Sequence, residues 1–299
     1  MNTIAFTESK NLQSLVDTSV RNALDKLATN KLKADQFAVS LVDLNVPDQV
    51  AAAGYRSNEK IYPASVIKLF YLVAVHRWLE DGRLKDTEEL RRAMRDMIVD
   101  SCNEATGLVV DSLTDTTSGP EMSPEDLERW HDKRNAVNRY FVSLGYTDIN
   151  AIRKPWNDGP YGRERQSVLV HKSDDRNMLT TGATARLMTE IMMGHAITAE
   201  RCKQMQELLR RDPAETKAES QVKGFIGETL PVGSKLWSKA GWTSQTRHDV
   251  AAFELLDGRK YVLVIFTVSH ANEPEVLQTL SRSVIAGLMT GEKQSKTSP

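Results

Sequence analysis

The run at residues 61–80, IYPASVIKLFYLVAVHRWLE, constrains this chain more than any other stretch. It reads as a helix that is apolar on nearly every side, and such a helix belongs in a protein interior. Pro63 suits the first position of a helix, where its missing N–H is no loss. Ser65 is then expected in the first turn, among N–H groups without an intrahelical partner. Lys68, three residues on, shares its face. A hydroxyl and an amine are thus expected together at the positive end of a buried helix. A serine is a poor nucleophile until a neighbouring base takes its proton. A lysine can be that base when burial or a nearby cation depresses its pKa. The helix terminus also favours negative charge developing beside it.

The spacing alone is weak. A chain of this length holds about one Ser-x-x-Lys by chance. This one holds three: Ser57–Lys60, Ser65–Lys68 and Ser220–Lys223. Two of them lie in polar, turn-like sequence where an exposed Ser and Lys need no explanation. Only Ser65 opens a long apolar helix.

The 299 residues suffice for one large domain or two modest ones. A net charge of −1 and a pI near 6.6 give no electrostatic case for nucleic acid. The two cysteines, Cys102 and Cys202, have no metal-like spacing to each other or to histidine. No metal or organic cofactor is implied. The first twenty residues do not read as a signal peptide, and no run approaches a membrane span. The expectation is therefore a cytoplasmic monomer, as encoded, with no membrane partner.

Residues 8–28 read as an amphipathic helix with Leu12, Leu15, Val16, Val20, Leu24 and Leu27 on one stripe. Strands are expected at 37–44 and 49–55, joined by a turn at Pro47-Asp48. Helices are expected at 87–100, 103–113, 124–144, 181–195 and 199–211. Residues 145–172 show no period and read as a long loop, usually functional in a compact domain or else disordered. Residues 210–219 read as a solvated charged stretch. Three late strands at 234–239, 249–256 and 260–269 precede a closing helix at 274–289 and a polar tail. This order predicts an α+β fold: a five-stranded antiparallel sheet flanked by terminal helices, from residues 1–60 and 231–291. A helical subdomain at 61–230 is inserted into it, and residues 292–299 form a disordered tail. A cleft between the two parts is a preferred place for a ligand.

Two further short motifs stand in order behind Ser65–Lys68. Ser101-Cys102-Asn103 opens a helix, where an isolated Ser101 would be read as an N-cap. Lys239-Ala240-Gly241 ends the first late strand, where an isolated Lys239 would be an edge-strand lysine. The ordered set, followed by a hairpin and a terminal helix, is improbable by chance. From about Phe37 to Met289 the chain resembles the serine β-lactamases and penicillin-recognising enzymes, class A β-lactamases most closely.

The resemblance implies roles. Ser65 would be the acylated nucleophile and Lys68 its proton acceptor or relay. Ser101 would pass a proton to the leaving nitrogen, and Asn103 would hold Lys68 or the substrate amide. Lys239 would supply positive charge beside Ser101 and the substrate carboxylate. The N–H groups of Ser65 and Trp242, the latter following Gly241, would form the oxyanion hole. Arg247 would bind the substrate carboxylate with its forked guanidinium. Counting back from Ser173-Asp174-Asp175-Arg176-Asn177 by the family's spacing reaches Glu164, which would activate the deacylating water.

The chain also departs from that pattern. Val168 stands where an Asn helps position the water. Gly162 and Asn177 replace an Arg and an Asp that brace the loop. Ala240 and Cys102 replace a hydroxyl residue and an Asp. Acylation machinery is complete by type, and deacylation machinery is not. The implied substrate is a β-lactam or a related amide or ester, with slow turnover expected. A D,D-peptidase or esterase, or a protein acylated by β-lactams without turnover, are the alternatives.

Overall fold

The computed structural model describes residues 4–46 and 49–290. The turn expected at Pro47-Asp48 and the polar tail lie outside them.

A mixed α/β fold is observed, with a single sheet in the order β1-β3-β2-β7-β6-β5-β4. Its early strands are β1 (Ala5–Glu8), β2 (Phe37–Asp43) and β3 (Gln49–Tyr55). Its late strands are β4 (Arg210–Arg211), β5 (Lys235–Trp242), β6 (Arg247–Glu254) and β7 (Lys260–Thr267). The sheet therefore has seven strands, not the expected five, and β1 runs parallel to β3. The two added strands are edge strands of four and two residues, too short to carry a readable period. β4 also comes from the segment read as a solvated charged stretch: Arg211 is drawn inward to donate to Ile98 O at 2.8 Å.

The central strands β2 and β7 are buried on both faces, so their alternate side chains feed two cores. Phe37, Val39 and Leu41 join the core under α1 (Lys10–Lys26) and α10 (Pro274–Thr290). Ala38 and Val42 join the larger core on the other face. That second core is organised by α2 (Ile67–Glu80), in which all residues but Arg77 and Glu80 are buried. Each fully buried Leu, Ile, Val or Phe side chain contributes about 1.5–3 kcal/mol, so α2 anchors everything built on its start.

Around α2 stand α3 (Glu88–Ile98), α4 (Asn103–Thr114), α5 (Pro124–Arg134), α6 (Ala136–Ser143), α8 (Thr181–Met192) and α9 (Ala199–Leu209). Most of these helices start on a side-chain cap: Thr87, Cys102, Ser123, Thr180 and Thr198 each accept from a backbone N–H three residues on. The single helix expected at 124–144 is two, broken at Asn135, whose side-chain amide donates back to His131 O at 3.2 Å. The expected 145–172 loop contains a further helix, α7 (Gly162–His171). No helix among the described residues is long and apolar enough to cross a membrane.

Candidate active site

Ser65 lies one step earlier than expected. It sits in a 3-10 turn at Ala64–Val66 ahead of α2, and Pro63 precedes that turn instead of opening the α-helix. Ala64 adopts φ 47°, an uncommon backbone for a residue with a side chain. From Pro63 to His76 every residue is buried except Ser65, which is partly exposed. The fold thus presents one hydroxyl to solvent from an otherwise sealed segment. The two look-alike pairs have ordinary surroundings. Ser220 Oγ accepts from the N–H groups of Val222 and Lys223 in a turn, and Lys223 pairs with Glu228. Lys60 is exposed.

β5 passes directly against the Ser65 turn. A Cβ on Gly241 would lie 2.8 Å from Ser65 N and 2.9 Å from both Pro63 O and Val66 N. Glycine is required there by close approach, and the next residue, Trp242, borders the same gap. His248 pins the turn from β6: its Nδ1 accepts from Thr267 N at 3.0 Å and its Nε2 donates to Tyr62 O at 2.9 Å. Burial holds its pKa down to about 4, so it stays neutral in this role.

Lys68 is fully buried. Its Nζ donates to Ser101 O at 2.6 Å, Asn103 Oδ1 at 2.7 Å and Ser101 Oγ at 3.3 Å. Among the described residues it does not donate to Ser65. Burial lowers its pKa to about 7, against a smaller upward pull from Cys102 and Glu104. Ser101 is not the helix cap. Cys102 caps α4 through Sγ to Ala105 N at 3.4 Å, which leaves the Ser101 hydroxyl to the lysines. Ser101 adopts φ 55°, a second strained position in the same site.

Lys239 is fully buried as well. Its three N–H bonds go to Ser101 Oγ at 2.9 Å, Gln221 Oε1 at 2.7 Å and Ala240 O at 2.7 Å. These three bonds use every donor that an ammonium has, and one of them ends on the Ser101 hydroxyl. Burial, then the charge of Lys68, pushes its pKa well below the usual lysine value. Arg247 opens β6 opposite Trp242. Its Nε donates to Ala271 O at 2.9 Å, and its guanidinium lies 4.9 Å from the Phe225 ring, which Trp242 also contacts. Ser65, Lys68, Ser101, Asn103, Lys239, Gly241, Trp242 and Arg247 are therefore brought to one region.

Glu164 has other partners. It lies on α7, 3% exposed, and its Oε1 takes Arg134 Nη2 at 2.5 Å, Ser118 Oγ at 2.9 Å and Lys154 Nζ at 3.4 Å. Asp111 completes this buried cluster with Arg134 at 3.0 Å and Lys154 at 2.6 Å. The loop residue that touches the Lys68 network is Asn157: its Oδ1 accepts from Asn103 Nδ2 at 2.7 Å, and its own amide donates to Glu104 Oε1 at 2.8 Å. A cavity of about 560 Å³ opens beside Asn103, lined in part by Lys154, Trp156 and Asn157.

The loop also proves well braced. Gly162 stands where an Arg was expected because a Cβ there would lie 2.0 Å from Gly119 O. Arg163 N donates to that carbonyl at 3.0 Å and Arg163 Nε to Pro120 O at 3.1 Å. Asn177 accepts from Ile152 N at 3.0 Å and Arg153 N at 2.9 Å, and donates to Arg153 O at 2.8 Å. Neutral bonds from Asn177 hold the loop base where the family pattern has an ion pair. Val168 lies on α7 one turn beyond Glu164. Gln221, Asn157 and His248 carried no readable signal, since each acts through a contact distant in sequence.

The comparisons agree with this architecture. A family model described as the beta-lactamase enzyme family matches residues 19–102 and 87–287, and the chain belongs to that family. No curated protein matches it. Among solved structures, a beta-lactamase from Sphaerobacter thermophilus DSM 20745 is 18% identical at TM-score 0.64, covering 96% of this chain and 99% of that one. PBP-A is 17% identical at TM-score 0.64, covering 95% and 97%. The TLA-1 extended spectrum beta-lactamase is 12% identical at TM-score 0.66, covering 92% and 99%.

Proposed function

We propose that this chain is a serine hydrolase that opens a β-lactam amide through an acyl-enzyme on Ser65, with deacylation as the slow step. The observation that carries this reading is Ser101, whose hydroxyl meets both buried lysines, Lys68 and Lys239, with Lys68 one turn from the partly exposed Ser65.

In acylation, the Ser65 proton passes to neutral Lys68 as Oγ attacks the lactam carbonyl. The N–H groups of Ser65 and Trp242 receive the oxyanion. Collapse breaks the C–N bond. Ser101 gives its proton to the leaving nitrogen and regains one from Lys68. Lys239, donating to Ser101 Oγ, keeps that oxygen polarised, and Arg247 holds the substrate carboxylate.

Deacylation needs a water and a base. Glu164 Oε1 is bound to two cations and a hydroxyl, and the loop meets Asn103 with an amide, Asn157. An amide cannot take a proton from water. Slow release of the acyl group follows. The same observation favours the second reading, a protein that is acylated and scarcely turns over. A penicillin G acyl-enzyme has been solved for a variant of PBP-A, 17% identical at TM-score 0.65.

A chromogenic cephalosporin assay run beside intact-mass measurement tests these readings. The expected result is a burst approaching one product per enzyme, a mass adduct, and a slow steady phase. Both burst and adduct should vanish in Ser65→Ala. An adduct that survives in that variant moves the nucleophile elsewhere. An adduct without a steady phase selects the acylated binder. Ester cleavage without an adduct selects an esterase.

A further inference from the structure

Gln221 falls inside the Ser220–Lys223 look-alike, which the site does not use, yet its side chain ties the Lys239 strand to the segment ahead of Ser101. Its Oε1 accepts from Lys239 Nζ at 2.7 Å and from Ala240 N at 3.1 Å. Its Nε2 donates to Ile98 O at 2.9 Å and Val99 O at 2.8 Å. These carbonyls close α3, two to three residues before Ser101. One amide therefore bridges β5 to the segment that carries Ser101. It is 5% exposed, and its two donors and two acceptor positions are all used.

That full use fixes its orientation. A flipped amide would set its NH2 against the Lys239 ammonium and its oxygen against two carbonyls. The native orientation aims a carbonyl dipole at Lys239 instead. We propose that Gln221 is the positioning residue that holds Lys239 protonated and seated on Ser101, and so sets the upper pH limit of acylation. This rests on the reading that Lys239 assists Ser101 during acylation of Ser65. Gln221 touches neither Ser65 nor Ser101, so it acts through Lys239.

Other groups compete for that proton. Lys68 on α2 and Arg211 on β4 oppose a charge on Lys239, as does burial, and Asp249 on β6 favours it. Arg211 also donates to Ile98 O, the carbonyl that Gln221 uses. With so much against the ammonium, each accepting oxygen matters. Ala240 sharpens the point: it leaves no side-chain hydroxyl at the residue next to Lys239, and the acceptor role falls to Gln221, Ser101 and Ala240 O.

Two variants separate charge control from structural support. Gln221→Leu removes the acceptor and should move the alkaline limb of the acylation rate down by about one pH unit, the value of one charged hydrogen bond. Gln221→Glu keeps the shape and the accepting oxygen, gives up the two bonds to Ile98 O and Val99 O, and when ionised sets a negative charge beside Lys239, so the limb should move up by about one unit. Acylation by a penicillin is followed by intact mass across pH in wild type and both variants. The Lys239 side chain is titrated in parallel by NMR of isotope-labelled lysine, without substrate, its signal assigned with Lys239→Arg. Opposite displacements in the two variants support the proposal. Coincident limbs and coincident Lys239 titrations, or displacements in the same direction, overturn it. If Gln221→Leu unfolds, Gln221→Met takes its place. Absence of acylation in wild type would overturn the proposed function, while the NMR titration would still decide the role of Gln221.

Discussion

On the sheet side of the site, two buried lysines converge on one hydroxyl, Ser101, and among the described residues no carboxylate is hydrogen-bonded to either. On the loop side, a buried carboxylate is surrounded by two cations and a hydroxyl. The first arrangement buries two amines in a dry place, and that burial lowers both lysine pKa values, with the charge of Lys68 pressing Lys239 further down. The second pairs its carboxylate with two cations, which on our proposal makes it a joint of the fold more than a base. Burial of charge alone does not mark a catalytic group. The decisive matter is whether the surroundings oppose the charge or complete it.

The largest effect that could break this contrast is on the lysine side. Lys68→Met should cut the acylation rate by about 10²–10⁴, the usual worth of a general base, read by adduct formation on intact mass. In wild type that rate should rise with pH through about 7, where Lys68 becomes neutral. The same depressed pKa makes a stability prediction. Between about 7 and the ordinary lysine value the unfolded chain binds this proton and the folded one does not. The Lys68 contribution to stability therefore grows with pH across that window and is flat below it.

Next comes the loop side. Glu164→Ala leaves Arg134 and Lys154 short of a partner and should lower stability by about 3–5 kcal/mol in urea titration, with the initial acylation rate unchanged. An acyl-enzyme much longer-lived in the isosteric Glu164→Gln would show Glu164 to be the hydrolytic base and end the comparison. Arg247→Ala should cost a carboxylate-bearing β-lactam about 1.5–3 kcal/mol, a tenfold to hundredfold loss in kcat/KM. Unchanged kcat/KM would remove Arg247 from substrate binding. The smallest effect is a gain. Asn157→Asp puts a carboxylate where the loop already meets Asn103, gives up the bond to Glu104, and should speed deacylation about tenfold, below the full worth of a base built for the task. The steady phase after the burst reads it.

The contrast also explains what the sequence could reveal. The α2 segment, the central strands and their order were legible because each is a continuous run with a period or a solid apolar block. Ser65, Lys68, Ser101, Asn103 and Lys239 could be singled out because their short motifs stand in order beside such runs and together resemble a known family. The loop was not. α7 begins among Pro and Gly residues, and its start depends on Gly162 sliding past Gly119, a contact across more than forty positions. Glu164 was reached by counting along the chain, and counting cannot show that Arg134, thirty residues back, holds it. Gln221 sat within a Ser-x-x-Lys look-alike, and its value lies in four bonds to distant backbone and side-chain atoms.

The strand order has a consequence for how the protein is made. β2 is hydrogen-bonded to β3 on one side and to β7 on the other, and more than two hundred residues separate β2 from β7. A ribosome adds about 5–20 residues per second. The β2–β3 hairpin therefore emerges on the order of ten seconds or more before its second partner exists. Through that interval β2 offers an open edge lined by Phe37, Val39 and Leu41, the kind of edge that recruits other strands. Helix α1, which packs on β2 and β3 and later on α10, is an early element able to cover one face of this hairpin. Destabilising α1 is thus expected to lower the yield of native protein from synthesis more than it lowers the stability of molecules that have already folded.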